Sequence, residues 1–189
     1  MAPGTGPFTI LVVCTGNLAR SPMGEALLRG HLSRRPVDAR VHSAGTLAWS
    51  GPATDPAIAV MREYGLDLSA HRSQPLTTSL VTDADLVLAM TRAHVYGVLA
   101  FDDTASDRTF LIEELPRLAT RVGARGADEA LRAWAARVAT ERTHGWVAGR
   151  ADEEVPDPFG EPIAVYRATA HRLDAASAAI AAFVAPTPL

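Results

Sequence analysis

The chain contains no lysine: its 18 basic residues are all arginine. That absence excludes the lysine-bearing phosphate loop of nucleoside triphosphatases and any Schiff-base chemistry. A single cysteine, Cys14, excludes an internal disulfide and a cluster of metal-binding thiolates. The net charge of -3 leaves no basic excess, and apart from Arg34-Arg35 the arginines are scattered, so nucleic acid is not an expected partner. No long hydrophobic run exists near the start. The first nineteen residues lack charge but are broken by Pro3, Gly4, Gly6, Pro7, Gly16 and Asn17, with no basic leader. The expectation is neither signal peptide nor membrane span, and a cytoplasmic location. Histidines 31, 42, 71, 94, 144 and 171 show no paired metal-ligand spacing, so no metal and no cofactor are expected.

What is present is the composition of a globular protein, 48% hydrophobic and 21% charged over 189 residues, read as one domain over 1–189 with a substantial core. Phe8 to Val13 reads as a short buried strand. Ser21 is a plausible N-cap and Pro22 a natural first residue of a helix running to about Leu32. A second strand is expected at Arg40 to Ser43. Asp55-Pro56 opens a helix that Gly65 ends. Leu86 to Met90 and Thr109 to Ile112 supply two more strands, with a helix through His94 to Leu99 between them. This alternation predicts an α/β fold, a four-stranded parallel sheet with helices on both faces, in which ligand chemistry collects at the carboxyl ends of the strands.

From Glu113 to Glu154 the pattern is helical, with Leu131, Trp134, Ala135 and Val138 on one face and Gly123, Gly126, Gly145 and Gly149 in the flanking loops. Asp152-Glu153-Glu154 reads as a solvated charge run. A last amphipathic helix follows from Pro162 to Val184 through Ile163, Tyr166, Leu173, Ile180 and Phe183.

The chain is organised around the turn after the first strand, Cys14-Thr15-Gly16-Asn17-Leu18-Ala19-Arg20-Ser21-Pro22. A tight loop feeding a helix N-terminus points unpaired N–H groups into one concavity and favours an anion there. Gly16 leaves room for close backbone approach, and Arg20 adds a planar fork suited to two oxygens of a tetrahedral oxyanion. Cys14 would lie beneath the bound phosphorus as a nucleophile. Cleaving a phosphate monoester through a cysteine also needs a proton donor for the leaving oxygen and a base for the attacking water. Asp157, in Asp157-Pro158-Phe159-Gly160 before the last helix, is the best candidate, although on its own an Asp-Pro in a loop is usually only a turn.

Taken together, Cys14-x-Gly16-Asn17-x-x-Arg20-Ser21-Pro22 resembles the signature loop of the low-molecular-weight protein tyrosine phosphatases. The likeness extends through Ser43-Ala44-Gly45-Thr46, Trp49, Asp55-Pro56, His71, Asp85 to Met90 and the Asp-Pro-aromatic segment at Asp157. It implies a flavodoxin-like three-layer sandwich. It implies Cys14 as nucleophile, Thr15, Gly16, Asn17, Leu18, Ala19 and Arg20 as the phosphate loop, and Asp157 as general acid and base. Asn17, Ser21, Ser43 and His71 would support that loop. Leu18, Trp49 and Phe159 would wall the substrate pocket. On the residues alone, Ser43 is equally a strand-end serine, His71 a surface histidine and Trp49 a packing residue.

The substrate implied is a phosphorylated protein or peptide, phosphotyrosine above all. Phosphoarginine-directed relatives share the Asp-Pro-Phe-Gly segment but carry threonine where this chain has Leu18. A protein-arginine-phosphatase of the same fold and a phosphate-binding regulatory module without turnover remain alternative readings. Arsenate reductases of this fold need further cysteines to relay electrons. Many members carry a second cysteine in the loop where this chain has Ala19, so oxidised Cys14 has no internal thiol to trap it. Gln74 stands where an arginine is common. The 113–154 segment exceeds its family counterpart, and enlarging the rim, recruiting a partner and capping the sheet are all open to it.

Overall fold

A computed structural model describes residues 7–142 and 149–185. Gly145 and His144 lie outside the described residues. Four strands, β1 (Phe8–Cys14), β2 (Ala39–Gly45), β3 (Leu86–Ala89) and β4 (Thr109–Leu111), form one sheet in the order β2-β1-β3-β4, with every pair parallel. The helices are α1 (Arg20–Leu32), α2 (Asp55–Glu63), α3 (Thr78–Asp83), α4 (Arg92–Leu99), α5 (Glu114–Val122), α6 (Leu131–Ala139) and α7 (Ile163–Val184).

The side-chain alternation of β1 builds both layers of the sandwich. Ile10, Val12 and Cys14 join the core beneath α1, α2, α5, α6 and α7, whereas Leu11 and Val13 join the core on the opposite face with Val81 of α3 and Val98 of α4. Burial on both faces explains the uninterrupted apolar run of β1. The expected flavodoxin-like α/β architecture is therefore the observed one. β1 leads through α1 to β2 on one side, and the chain then crosses to β3 on the other. The carboxyl ends of β1 and β3 thus flank the topological switch point, where ligands bind in such sheets.

Three local expectations are corrected. Helix α1 begins at Arg20, with Ala19 at its cap, and the Ser21 hydroxyl is turned inward to the Cys14 sulfur instead of capping the helix. Asp152-Glu153-Glu154 is not a solvated run. Glu153 is buried against Arg117 and accepts from the Arg150 N–H, and Glu154 pairs with Arg92. Ile163, at the first position of α7, is exposed, because the apolar stripe of that helix begins a turn later at Tyr166.

The described part of 113–154 covers the sheet. Leu115 and Leu118 of α5 and Leu131, Trp134, Ala135 and Val138 of α6 are buried in the main core. Trp134 also donates its indole N–H to the Gly123 carbonyl at 3.0 Å. Among the described residues, no helix is long and apolar enough to cross a membrane.

Candidate active site

The loop from Thr15 to Ala19 is held open by its own backbone and by β2. Gly45 pairs with Cys14 at the end of the β1–β2 ladder. Thr46 then donates its N–H to the Cys14 carbonyl and Leu47 to the Thr15 carbonyl, each at 2.9 Å. A Cβ on Gly45 would lie 2.7 Å from the Thr15 carbonyl oxygen and 3.1 Å from the Asn17 nitrogen, so only glycine permits this approach. Asn17 takes a left-handed conformation, φ 55°, which asparagine tolerates better than other side chains. With the loop coiled this way, the backbone N–H groups of Thr15 through Ala19 find no acceptor among the described residues. They line a concavity at the start of α1, an arrangement of free N–H groups that suits an anion.

Asn17 is fully buried and locks the underside of the loop. Its Oδ1 accepts from the Gln74 N–H at 3.0 Å, which fixes the amide orientation. Its Nδ2 donates to Ser21 Oγ at 2.9 Å and to Ser43 Oγ at 2.8 Å. Ser43 passes its own hydrogen to Glu25 Oε2 at 2.5 Å. Ser21 Oγ, already accepting from Asn17, has its hydrogen left for the Cys14 sulfur 3.0 Å away. The Ser43 and Ser21 hydroxyls of this relay are therefore oriented, and the last hydrogen is available to a sulfur that accepts it. His71 Nε2 lies 2.8 Å from the Asn17 carbonyl and ties the loop from the other side. Gln74 also donates Nε2 to the Ser43 carbonyl at 3.0 Å.

Arg20 is buried and reaches across the site. Its guanidinium donates to the Val155 carbonyl at 3.3 Å and to Thr15 Oγ1 at 3.2 Å, and it pairs with Asp157. Its buried Nε has no partner among the described residues. Asp157 is half exposed, on a segment fixed at its root by the Val155 N–H to the Met90 carbonyl at 2.8 Å. Glu154, one residue earlier, accepts from both the N–H and the Nε of Arg92. Those bonds hold its carboxyl below the usual range.

These residues surround a cleft of about 200 Å³ lined by Cys14, Thr15, Gly16, Leu18, Arg20, Asp157 and an apolar rim. The rim consists of Leu47, Trp49 and Phe159, each more than half exposed. The structure thus brings every sequence-predicted residue to one place: Cys14, Arg20, Asp157, Leu18, Trp49 and Phe159 around the cleft, and Asn17, Ser21, Ser43 and His71 beneath it. Ala19 is buried at the start of α1.

Sequence reasoning assigned no role to five contributors. Gln74 and Leu47 carry no motif of their own. Gly45 shows its role only through the loop packed on it. Glu25 follows Ser21 by four residues on α1, a spacing that puts both on one face and could have flagged it. His94 reads in sequence as an ordinary helical residue, yet it is buried and lies 2.8 Å from Thr15 Oγ1. Burial and the nearby Arg20 push its pKa down to about 4, so it is neutral at physiological pH.

Comparison with known proteins agrees with this geometry. A "Probable low molecular weight protein-tyrosine-phosphatase EpsP" from Ralstonia solanacearum is 45% identical over 108 residues, covering 57% of this chain and 72% of the relative. A protein-arginine-phosphatase from Bacillus subtilis is 32% identical over 166 residues, 87% of this chain and 89% of the relative. The crystal structure of a YwlE mutant from Bacillus subtilis superposes with a TM-score of 0.69 at 31% identity, covering 92% of this chain and 96% of that one. Residues 9–120 match the family described as low molecular weight phosphotyrosine protein phosphatase. With the family's sequence over more than half its length and the family's fold over nearly all of it, this chain belongs to the low molecular weight protein tyrosine phosphatases.

Proposed function

We propose that this chain hydrolyses phosphotyrosine in proteins or peptides through a phosphocysteine intermediate. The observation that carries the reading is the convergence of Cys14, Arg20 and Asp157 on one cleft with an apolar, partly aromatic mouth. The Cys14 thiolate attacks phosphorus and forms the S–P bond as the bond to the phenol oxygen breaks. Asp157 gives that oxygen its proton. Arg20 and the loop N–H groups hold the three equatorial oxygens, and the Nε of Arg20, without a partner among the described residues, is suited to one of them. Asp157, now a carboxylate, takes a proton from water as the water attacks phosphocysteine. The S–P bond breaks, and phosphate leaves with Cys14 again a thiolate, stabilised by the Ser21 hydroxyl. None of these steps calls on a metal. The proposal treats the chain as one domain working in the cytoplasm.

Phosphoarginine is the competing substrate, since one relative that matches most of the chain is a protein-arginine-phosphatase. The lining of the cleft favours the phenyl ring. A guanidinium brings several N–H donors that need acceptors, but Leu18 and Leu47 offer none, and the one carboxylate in the lining is Asp157, paired with Arg20. Flat apolar walls suit an aromatic ring instead. The test compares kcat/KM on phosphotyrosine and phosphoarginine versions of one peptide. The account expects the phosphotyrosine peptide to be preferred and Leu18→Thr to narrow the gap. A preference for phosphoarginine in the wild type would overturn it.

A further inference from the structure

Thr15 Oγ1 and His94 Nε2 lie 2.8 Å apart, and the other ring nitrogen determines which of them donates. His94 Nδ1 faces two groups of Thr91, the hydroxyl oxygen at 2.9 Å, which can give or take a hydrogen, and the backbone nitrogen at 3.1 Å, whose N–H can only donate; the N–H makes Nδ1 the acceptor. The hydrogen of the neutral ring is therefore on Nε2 and points at Thr15. Arg20 donates to the same hydroxyl oxygen at 3.2 Å. With both lone pairs of Thr15 Oγ1 engaged, its own hydrogen must leave in the remaining direction, and no protein acceptor for it is found among the described residues. Thr15 and Cys14 line the same cleft.

We propose that His94 is a positioning residue: together with Arg20 it fixes Thr15 Oγ1 as an acceptor, so that the Thr15 hydrogen is held toward a non-bridging oxygen of the phosphoryl group above Cys14. This rests on the phosphatase reading. A rotor held in advance costs no reorganisation as charge redistributes over the phosphoryl oxygens, whereas a freely turning hydroxyl would spend part of its time aimed elsewhere. Burial of the ring suits this role, because the depressed pKa keeps the ring neutral across the physiological range and the Thr91 N–H then holds its tautomer. The origin of the contact is topological. β3 lies beside β1, so the turn after β3 delivers Thr91 and His94 to the loop after β1.

The test separates positioning from helix capping. His94→Asn keeps an acceptor near the Nδ1 position for the Thr91 N–H but has no donor that reaches Thr15, whereas His94→Gln places an amide donor near the Nε2 position. kcat and KM for p-nitrophenyl phosphate, and the inhibition constant of inorganic phosphate, are measured for the wild type, Thr15→Val, Thr15→Ser, His94→Asn, His94→Gln and the Thr15→Val/His94→Asn double variant. Thr15→Val and His94→Asn are each expected to lower kcat/KM about tenfold, the worth of one oriented hydrogen bond to a charged group. The double variant should fall no further than Thr15→Val, and Thr15→Ser and His94→Gln should recover most of the rate. Wild-type kinetics in His94→Asn or Thr15→Val, multiplying losses in the double variant, or no recovery with His94→Gln would each overturn the proposal. If His94→Asn does not fold, Thr15→Val and His94→Gln still decide it. Cys14→Ser, run in parallel, separates the two claims: turnover that does not depend on Cys14 removes the phosphatase reading itself, whatever the His94 variants do.

Discussion

The Ser21 hydroxyl lies 3.0 Å from the Cys14 sulfur while its oxygen accepts from Asn17, so once the sulfur is a thiolate, which can only accept, the Ser21 hydrogen is committed to it. This contact matters most when sulfur leaves phosphorus as an anion. Ser21→Ala should therefore lower kcat roughly ten- to a hundredfold, in line with one charge-assisted hydrogen bond. The inhibition constant of inorganic phosphate should change much less. Steady-state kinetics with phosphate as inhibitor checks both; an unchanged kcat would show that the hydroxyl does not reach the reacting sulfur.

Gly45→Ala should damage the site more than the fold. Its Cβ would meet three backbone atoms of the loop at 2.7 to 3.1 Å, none able to turn away as a side-chain tip could. Overpacking of this kind costs about 1–3 kcal/mol in stability. The same displacement moves the N–H groups proposed to bind phosphate, so kcat/KM should fall by roughly a hundredfold or more. Thermal melting beside turnover gives the comparison, and loss of stability with full activity would contradict it.

The buried neutral His94 makes the fold acid-sensitive in a defined window. Its folded pKa, about 4, lies below the ordinary 6.5. The unfolded chain therefore binds the extra proton first, and the stability held above pH 6.5 is lost as pH falls toward 4. Replacing the imidazole by asparagine should flatten that fall by up to about 1.4 kcal/mol per pH unit. Urea denaturation of wild type and His94→Asn near pH 7 and pH 5 measures it. Equal slopes would mean that the ring is not held neutral.

Arg92 and Glu154 should act on Asp157 through the segment they anchor. The pair is partly exposed, so Glu154→Gln should cost less than about 1 kcal/mol of stability. Loosening the root of the segment should slow a poor leaving group more than a good one, because the former depends on protonation. kcat on a phosphotyrosine peptide is expected to fall several-fold further than on p-nitrophenyl phosphate. Equal losses on both would place the effect elsewhere.

The parts legible in the sequence were those encoded locally. The β1 run, the glycine and asparagine turn and the proline after Arg20 specify strand, loop and helix within a few residues, which is why Cys14 and Arg20 stand out as candidates from the sequence alone. The Ser21 cap was misread because serine at a helix start has two uses, and only the nearby sulfur and Asn17 show which applies. Glu153 looked solvated because its partner Arg117 stands 36 residues away on another element. His94 was overlooked for the same reason. Its meaning depends on β3 lying next to β1, a pairing no periodicity reveals.

The central claim is tested most directly by the initial rate of p-nitrophenyl phosphate hydrolysis in the presence of a chelator, wild type beside Cys14→Ser. The account predicts turnover by the wild type that is undiminished by the chelator and absent in the variant. A folded wild type without turnover, or a Cys14→Ser variant at the wild-type rate, would contradict it.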